Sequence, residues 1–223
     1  MPHLNIAIDG PAGAGKSTVA KALARRLGIL YVDTGAMYRG VAWLALKHGV
    51  AVEREDELVE LLQRHPLHFE RNSDGGLDIY SDGQCINAEL RNPQVSALVS
   101  QLSVHPRVRG VLTEWQRSFA RRHSVVMDGR DVGTVVLPDA QVKVFLTASL
   151  EERTRRRAEE FQSKGYEMSL EELRTSIVER DERDSSRDVA PLRPASDAHP
   201  IDSTGRTVED VVREILELVE RCR

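Results

Sequence analysis

The sequence is poor in cysteine and lysine and has no long apolar run. Its two cysteines, Cys85 and Cys222, lie far apart without CxxC spacing. Neither a disulfide framework nor a thiolate metal site can therefore organise the fold, and the pair reads as reduced thiols of a cytoplasmic protein. Seven histidines form no HExxH or paired metal pattern. No apolar stretch approaches membrane-spanning length, and no basic-then-apolar leader opens the chain. An excess of positive charge is missing too. The formal net charge is -4, which argues against a general grip on nucleic acid. Of 31 basic residues only five are lysine. Arginine binds phosphate through a planar fork, although arginine-rich usage also follows genome composition and heat tolerance. What remains is a globular composition, 40% hydrophobic and 30% charged, in 223 residues that can bury a substantial core. Internal repeats and low-complexity tracts are absent.

The hydrophobic pattern predicts an α/β fold. Residues 4–8 read as a buried strand and residues 16–27 as a helix. Its apolar positions are Val19, Ala20, Leu23, Ala24 and Leu27, and Gly28 ends it. Residues 29–32 read as a second strand, which completes a βαβ unit and implies a parallel sheet flanked by helices. Residues 36–48 form a helix closed by Gly49. Residues 67–87 break this rhythm. Two turn signals, Ser73-Asp74-Gly75-Gly76 and Asp82-Gly83, predict a small inserted antiparallel β meander. Asn92-Pro93 opens one helix. Pro106 opens another, with Val108, Val111, Leu112, Trp115 and Phe119 on one face. Residues 124–127 and 142–146 are apolar strands, and Ile201, Asp202 and Ser203 end a last one. Ser149 and Ser169 each precede a Glu by three, Glu152 and Glu172, and both read as capping boxes. Residues 208–219 form a final amphipathic helix.

The first motif is Gly10-Pro11-Ala12-Gly13-Ala14-Gly15-Lys16-Ser17, which satisfies GxxxxGK[ST] between a strand and a helix. Such a loop turns backbone N–H groups and a helix N-terminus toward phosphate oxygens. Lys16 then reaches the β/γ phosphates of a nucleoside triphosphate, and Ser17 holds Mg²⁺. A GTPase switch, a motor and a kinase share this grip. No Asn precedes a Lys, so the guanine-selecting NKxD pattern is absent, and the chain is short for a motor.

The second signal is a set of arginines. A phosphate acceptor is nearly fully ionised at neutral pH and needs cations more than a base. Asp33-Thr34-Gly35-Ala36-Met37-Tyr38-Arg39 and Asp128-Gly129-Arg130-Asp131 each follow a strand, where ligands of open sheets bind. Arg180, Asp184 and Arg187 share one face of a helix starting near Leu170, and residues 152–157 (ERTRRR) add a further basic cluster. Each feature also has a plain reading. The Arg180 face and ERTRRR fit solvated ion-pair stripes. Asp128 fits a Walker-B carboxylate or a turn residue, and Thr34, Tyr38 and Arg39 fit a helix cap with its first turn. Together the clusters favour an anionic acceptor.

In this order, DGPAGAGKST, DTGAMYR, PRVR, DGRDVGTVVLPDA and ERDERDSSRDVAPL resemble the bacterial cytidylate kinase family, over essentially the whole chain and including the meander. The resemblance implies a P-loop NTPase fold and transfer of the ATP γ-phosphoryl group to CMP or dCMP with Mg²⁺. ATP would lie on Gly10, Pro11, Ala12, Gly13, Ala14, Gly15, Lys16, Ser17 and Thr18. Thr34, Arg109 and Asp131 would read cytosine, with Tyr38 in the same acceptor site. Ser100, Arg180 and Asp184 would hold the pentose, and Arg39, Arg130 and Arg187 the acceptor phosphate. Arg153 and Arg157 would belong to a mobile lid over ATP. The catalytic set is then Lys16, Arg130, Arg187, Arg153 and Arg157, with Ser17 and Asp128 at the metal. The implied core is about residues 1–35, 106–150 and 185–223. Residues 36–105 form the monophosphate-binding region, 151–168 a short helical lid without zinc-ligand cysteines, and 169–184 a helix returning to the core. A cytoplasmic monomer acting on ATP and CMP, without nucleic-acid or membrane partners, is expected. The rivals are a shikimate- or gluconate-type kinase with Asp131 as base, and a nucleotide switch that docks a protein partner on the insert.

Overall fold

The computed structural model describes residues 3–163, 165 and 168–222. Five parallel strands form the central sheet: β1 (Asn5–Asp9), β2 (Leu30–Asp33), β6 (Val125–Gly129), β7 (Val142–Thr147) and β8 (His199–Asp202), in the order β2-β6-β1-β7-β8. Alternate residues of each strand point to opposite faces. Ile6, Ile8 and Val126 pack with α1 (Lys16–Leu27) and α8 (Val208–Arg221) on one side. Ala7, Val125 and Met127 face α2 (Thr34–His48), α3 (Glu55–Arg64), α4 (Pro93–Leu102) and α5 (Pro106–Arg122) on the other. Two apolar cores therefore sandwich one sheet.

The meander forms as three antiparallel strands, β3 (Leu67–Arg71), β4 (Leu77–Ser81) and β5 (Gln84–Cys85). The Gly75 carbonyl of its first turn accepts from Tyr31 N of edge strand β2 at 2.9 Å, so the insert shields that edge. Chain ends of the helices follow from local chemistry. Asp33 caps α2 by accepting from Ala36 N at 2.8 Å, and Asn92 caps α4 in the same way from Gln94 N. Gly28 and Gly49 close α1 and α2 in left-handed conformations.

Three sequence expectations need correction. Helix α3 lies where no helix is expected. Its apolar residues Leu58, Val59, Leu61 and Leu62 follow helical spacing, but over little more than one turn. The capping box at Ser169 is complete and starts α7 (Leu170–Ser186), but the one at Ser149 is only half formed. At the start of α6 (Leu150–Ser163), the Glu152 side chain turns to Arg155 and Arg156 instead, while Ser149 N donates to Thr204. Lastly, α7 ends at Ser186, so Arg187 stands beyond it in extended backbone. It is not the i+7 member of a helical face. Among the described residues, no helix is long and apolar enough to cross a membrane.

Helix α2 carries the acceptor-side residues and owes its position to burial. Leu44 is fully buried, whereas Leu46 is 46% exposed. Leu44→Ala should lower unfolding free energy by about 2–5 kcal/mol, and Leu46→Ala by less than about 0.5 kcal/mol. Urea denaturation followed by circular dichroism measures both, and equal losses would contradict this packing.

Candidate active site

Strands β1, β6 and β2 end side by side, with Asp9 paired to Gly129 and Asp128 to Asp33. Three loops therefore enter one crevice at the carboxyl edge of the sheet. The first is the glycine-rich loop. Gly10 has φ +149°, and a Cβ there would lie 2.0 Å from the Leu146 carbonyl oxygen, so only glycine fits. Gly13 and Gly15 also have positive φ, and Gly15 leads into α1. Lys16 is buried in this loop, its Nζ donating to the Pro11 carbonyl at 2.7 Å. Burial, followed by the charge of Arg130, holds its pKa below the ordinary lysine value. The negative charge of a polyphosphate would act in the opposite direction.

Ser17 Oγ donates to Asp128 Oδ2 at 2.8 Å, and Tyr31 Oη donates to Asp128 Oδ1 at 2.7 Å. Both carboxylate oxygens are thus oriented. Burial, then the neighbouring Asp33 charge, pushes the Asp128 pKa up. This arrangement matches the Walker-B alternative for Asp128 better than a turn residue. Two adjacent hard oxygens, a hydroxyl and a carboxylate, are the donor type that suits Mg²⁺.

Across the crevice lies a ladder of buried opposite charges. Asp131 Oδ2 accepts from Arg109 Nη2 at 2.5 Å, and Arg187 Nη2 lies 3.7 Å from Oδ1. Arg109 also donates to the Ser103 carbonyl and lies over the Tyr38 ring, 5.6 Å from its centroid. Asp184 accepts from Arg130 Nε at 2.8 Å, with Arg180 Nε 4.0 Å away. Arg180 Nε and Arg187 Nη2 are buried, and neither has a hydrogen-bond acceptor among the described residues. Burial, then Arg130, brings the Arg180 pKa down to about 10; burial, then Arg109, lowers that of Arg187. Burial raises Asp131 against the pull of Arg109, and raises Tyr38 to about 12. Buried donors without acceptors, among mutually repelling cations, form a site made for an anion.

The remaining expected residues take definite places. Thr34 Oγ1 donates to the Asp128 carbonyl at 2.7 Å, so the hydroxyl presents only acceptor lone pairs to anything else. Arg39 Nη2 is held by Asp33 Oδ2 at 2.8 Å, the same carboxylate that caps α2. Ser100 sits on α4, which packs on α7, and its carbonyl accepts from Ser103 Oγ. Arg153 on α6 donates to the Ala12 carbonyl and pairs with Asp181 of α7, whose other oxygen accepts from Ala12 N at 3.1 Å. Arg157 instead pairs with Glu160 and lies over Phe161.

Arg156 escaped the sequence reading although it lies in ERTRRR. It donates to the carbonyls of Ala14 and Ser203, on the same side of α6 as Arg153 three residues before. That i, i+3 spacing was the available signal. Asp181 and Tyr31 also escaped, because each acts through a partner distant in sequence. Three of the residues expected in the lid, Lys164, Tyr166 and Glu167, lie outside the described residues.

The sequence model of the cytidylate kinase family matches residues 6–221. The chain belongs to the cytidylate kinase family. Cytidylate kinases of Carboxydothermus hydrogenoformans and Clostridioides difficile are 48% and 47% identical to it. The first match covers 98% of both chains, and the second 97% of this chain and 98% of the relative. Among solved structures, an uncharacterized protein from Eubacterium ventriosum superposes with a TM-score of 0.55 at 14% identity, over 98% of this chain and 99% of its own. That likeness concerns the fold alone. The fold is α/β, a five-stranded parallel sheet with a small antiparallel sheet, and the chain is an ATP-dependent phosphotransferase that phosphorylates CMP and dCMP.

The loop geometry gives a direct test. Gly10→Ala would drive a methyl group into the Leu146 backbone, so the loop must move. Turnover should fall by at least about a hundredfold, because misplacement by roughly an ångström costs that much. Steady-state kinetics at saturating ATP checks this, and near-normal turnover would contradict the loop's assigned packing.

Proposed function

We propose that the acceptor is held, read and neutralised by the ladder between Asp131 and Asp184, while the glycine-rich loop holds ATP. The observation that carries this reading is the pair of buried, unpartnered donors on Arg180 and Arg187 beside the Asp131–Arg109 pair. Arg39, Arg130 and Arg187 bind the acceptor phosphate. Arg180, Asp184 and Ser100 hold the pentose. Asp131, Arg109 and Thr34 read cytosine, and Tyr38 supports Arg109 from its ring face. On the donor side Lys16 neutralises the transferring group, and Arg153 and Arg157 belong to a lid formed by α6 and the residues after it.

The transferring phosphoryl group needs positioning and charge neutralisation more than a base. Asp131 faces two guanidinium groups, which supports base reading over a role as general base toward a hydroxyl. Mg²⁺, held by Ser17 and Asp128, would neutralise the phosphates when bound. Every residue proposed here belongs to one chain, in keeping with a monomer. We place it in the cytoplasm, where its nucleotide substrates are found.

A coupled ADP-release assay across CMP, dCMP, UMP, AMP and GMP tests the reading, with CMP and dCMP expected to turn over fastest. Lys16→Ala should reduce turnover on CMP by about a hundredfold or more, since it removes a preorganised cation. A sugar acid outperforming CMP would instead favour the hydroxyl-kinase reading, and slow turnover indifferent to every monophosphate would favour a switch.

Base selection should depend on Asp131. Cytosine offers an amino donor at N4 beside an acceptor at N3, which suits a carboxylate beside a guanidinium. Uracil reverses both groups, leaving buried polar atoms unpaired at a cost of about 1–3 kcal/mol. An amide can turn its NH₂ toward O4. Asp131→Asn should therefore lower kcat/KM for CMP and narrow the gap to UMP. Equal losses on both nucleotides would move Asp131 to a role in phosphate organisation.

A further inference from the structure

Asp9 is the last residue of β1 and directly precedes the glycine-rich loop. It is 4% exposed and forms no salt bridge among those of the described residues. Its two oxygens accept from two consecutive backbone amides, Val132 N at 2.8 Å and Gly133 N at 2.7 Å. These amides immediately follow Asp131, in a short π-helical turn (Val132–Val136). The far end of that turn is held separately. Arg117 of α5 donates to the Val135 and Val136 carbonyls. Asp9 is thus the clamp at the end of the turn that carries Asp131. Burial pushes the Asp9 pKa up to about 6, against the pull of the two amides and of the Lys16 charge. An apolar side chain here would leave both buried amides without this acceptor, so the carboxylate fixes where the turn lies.

We propose that Asp9 is a positioning residue for acceptor specificity: by clamping the Val132 and Gly133 amides it sets the direction in which Asp131 faces the base. Because Asp9 also begins the glycine-rich loop, one side chain ties the reader of the acceptor to the cradle of the donor. The inference rests on the reading of Asp131 given above. Asparagine can accept from one amide only, and its NH₂ would oppose the other N–H. The turn would then shift at its Asp131 end.

The test is steady-state kinetics of Asp9→Asn, Asp131→Asn and the double variant, with CMP and UMP as acceptors and ATP varied separately. Asp9→Asn is expected to raise the KM for CMP about tenfold, in line with one unpaired buried amide, and the KM for ATP by less than about twofold. Its CMP-over-UMP preference should fall, and should fall no further when Asp9→Asn is added to Asp131→Asn, because both act on one reader. Equal rises in the two KM values with an unchanged preference would overturn the proposal and leave Asp9 as fold support. Additive losses of preference would overturn it as well. If Asp131→Asn alone leaves the preference unchanged, the base-reading role of Asp131 fails. The KM split of Asp9→Asn then decides separately whether Asp9 positions the acceptor loop. Should Asp9→Asn not fold, Gly133→Ala takes its place. Its added Cβ would meet Asp9 Oδ2 at 3.3 Å and press on the same clamp. A weaker CMP preference at unchanged KM for ATP supports the proposal, and an unchanged preference overturns it.

Discussion

Holding several guanidinium groups together out of water is the constraint around which this molecule is built. Like charges repel strongly where solvent is excluded, and a buried cation without partners is unfavourable. The chain meets this by interleaving carboxylates. Asp131 separates Arg109 from Arg187, and Asp184 stands between Arg130 and Arg180. Each carboxylate comes from a different element, one after β6 and one on α7. The ladder therefore exists only when the sheet edge and the returning helix are docked. Packing of α7 on α6 and α4 thus holds the ladder together, and with it the proposed acceptor site.

The donor half answers to a different constraint, the close approach of backbones. Gly10 lies against the Leu146 carbonyl, and Arg153 lies against Gly13. No side chain could intervene there. The two halves meet at the ends of β1 and β6, where Asp9 and Gly129 are register partners. At that point Asp128 orients Ser17, and Thr34 donates to the Asp128 carbonyl. A displacement of β6 would consequently disturb both substrates at once.

Much of this was legible in the sequence because it is local. The glycine-rich loop, α1 with its Gly28 end, the Asp-Gly hairpin turns and the Asn92-Pro93 helix start all depend on neighbours within a few residues. The site residues that escaped depend on distant partners instead. Tyr31 meets Asp128 and Asp181 meets Ala12, pairs separated by 97 and 169 positions. Glu152 illustrates a local rule overruled. It stands three residues after Ser149, as a capping box requires, but two arginines at i+3 and i+4 compete for its carboxylate. Two guanidinium partners outweigh one backbone amide, and that amide, Ser149 N, already donates to Thr204. Arg187 lies beside the ladder by a different route than helical spacing predicts. Helical spacing brought it near Asp184, yet the chain leaves the helix first and reaches Asp131 from extended backbone.

The charge balance of the ladder bears on what it accepts. Arg39 is paired with Asp33 and stands outside this balance. Arg109, Arg130, Arg180 and Arg187 face only Asp131 and Asp184, so two positive charges remain uncompensated. A phosphate monoester carries close to two negative charges at neutral pH, because its second pKa is about 6. A neutral sugar hydroxyl would leave the excess in place, and a single carboxylate would remove half of it. Burial makes the mismatch matter, since desolvation and then the Arg130 charge press Arg180 below its ordinary pKa against the pull of Asp184. An acceptor bearing a dianionic phosphate relieves that pressure, and relief is greatest when the phosphate is fully ionised. Acceptor binding should accordingly strengthen as pH rises through about 6 and level off above it, while the arginines remain charged throughout. The interleaved carboxylates thus leave the ladder with a charge that a dianionic monophosphate complements.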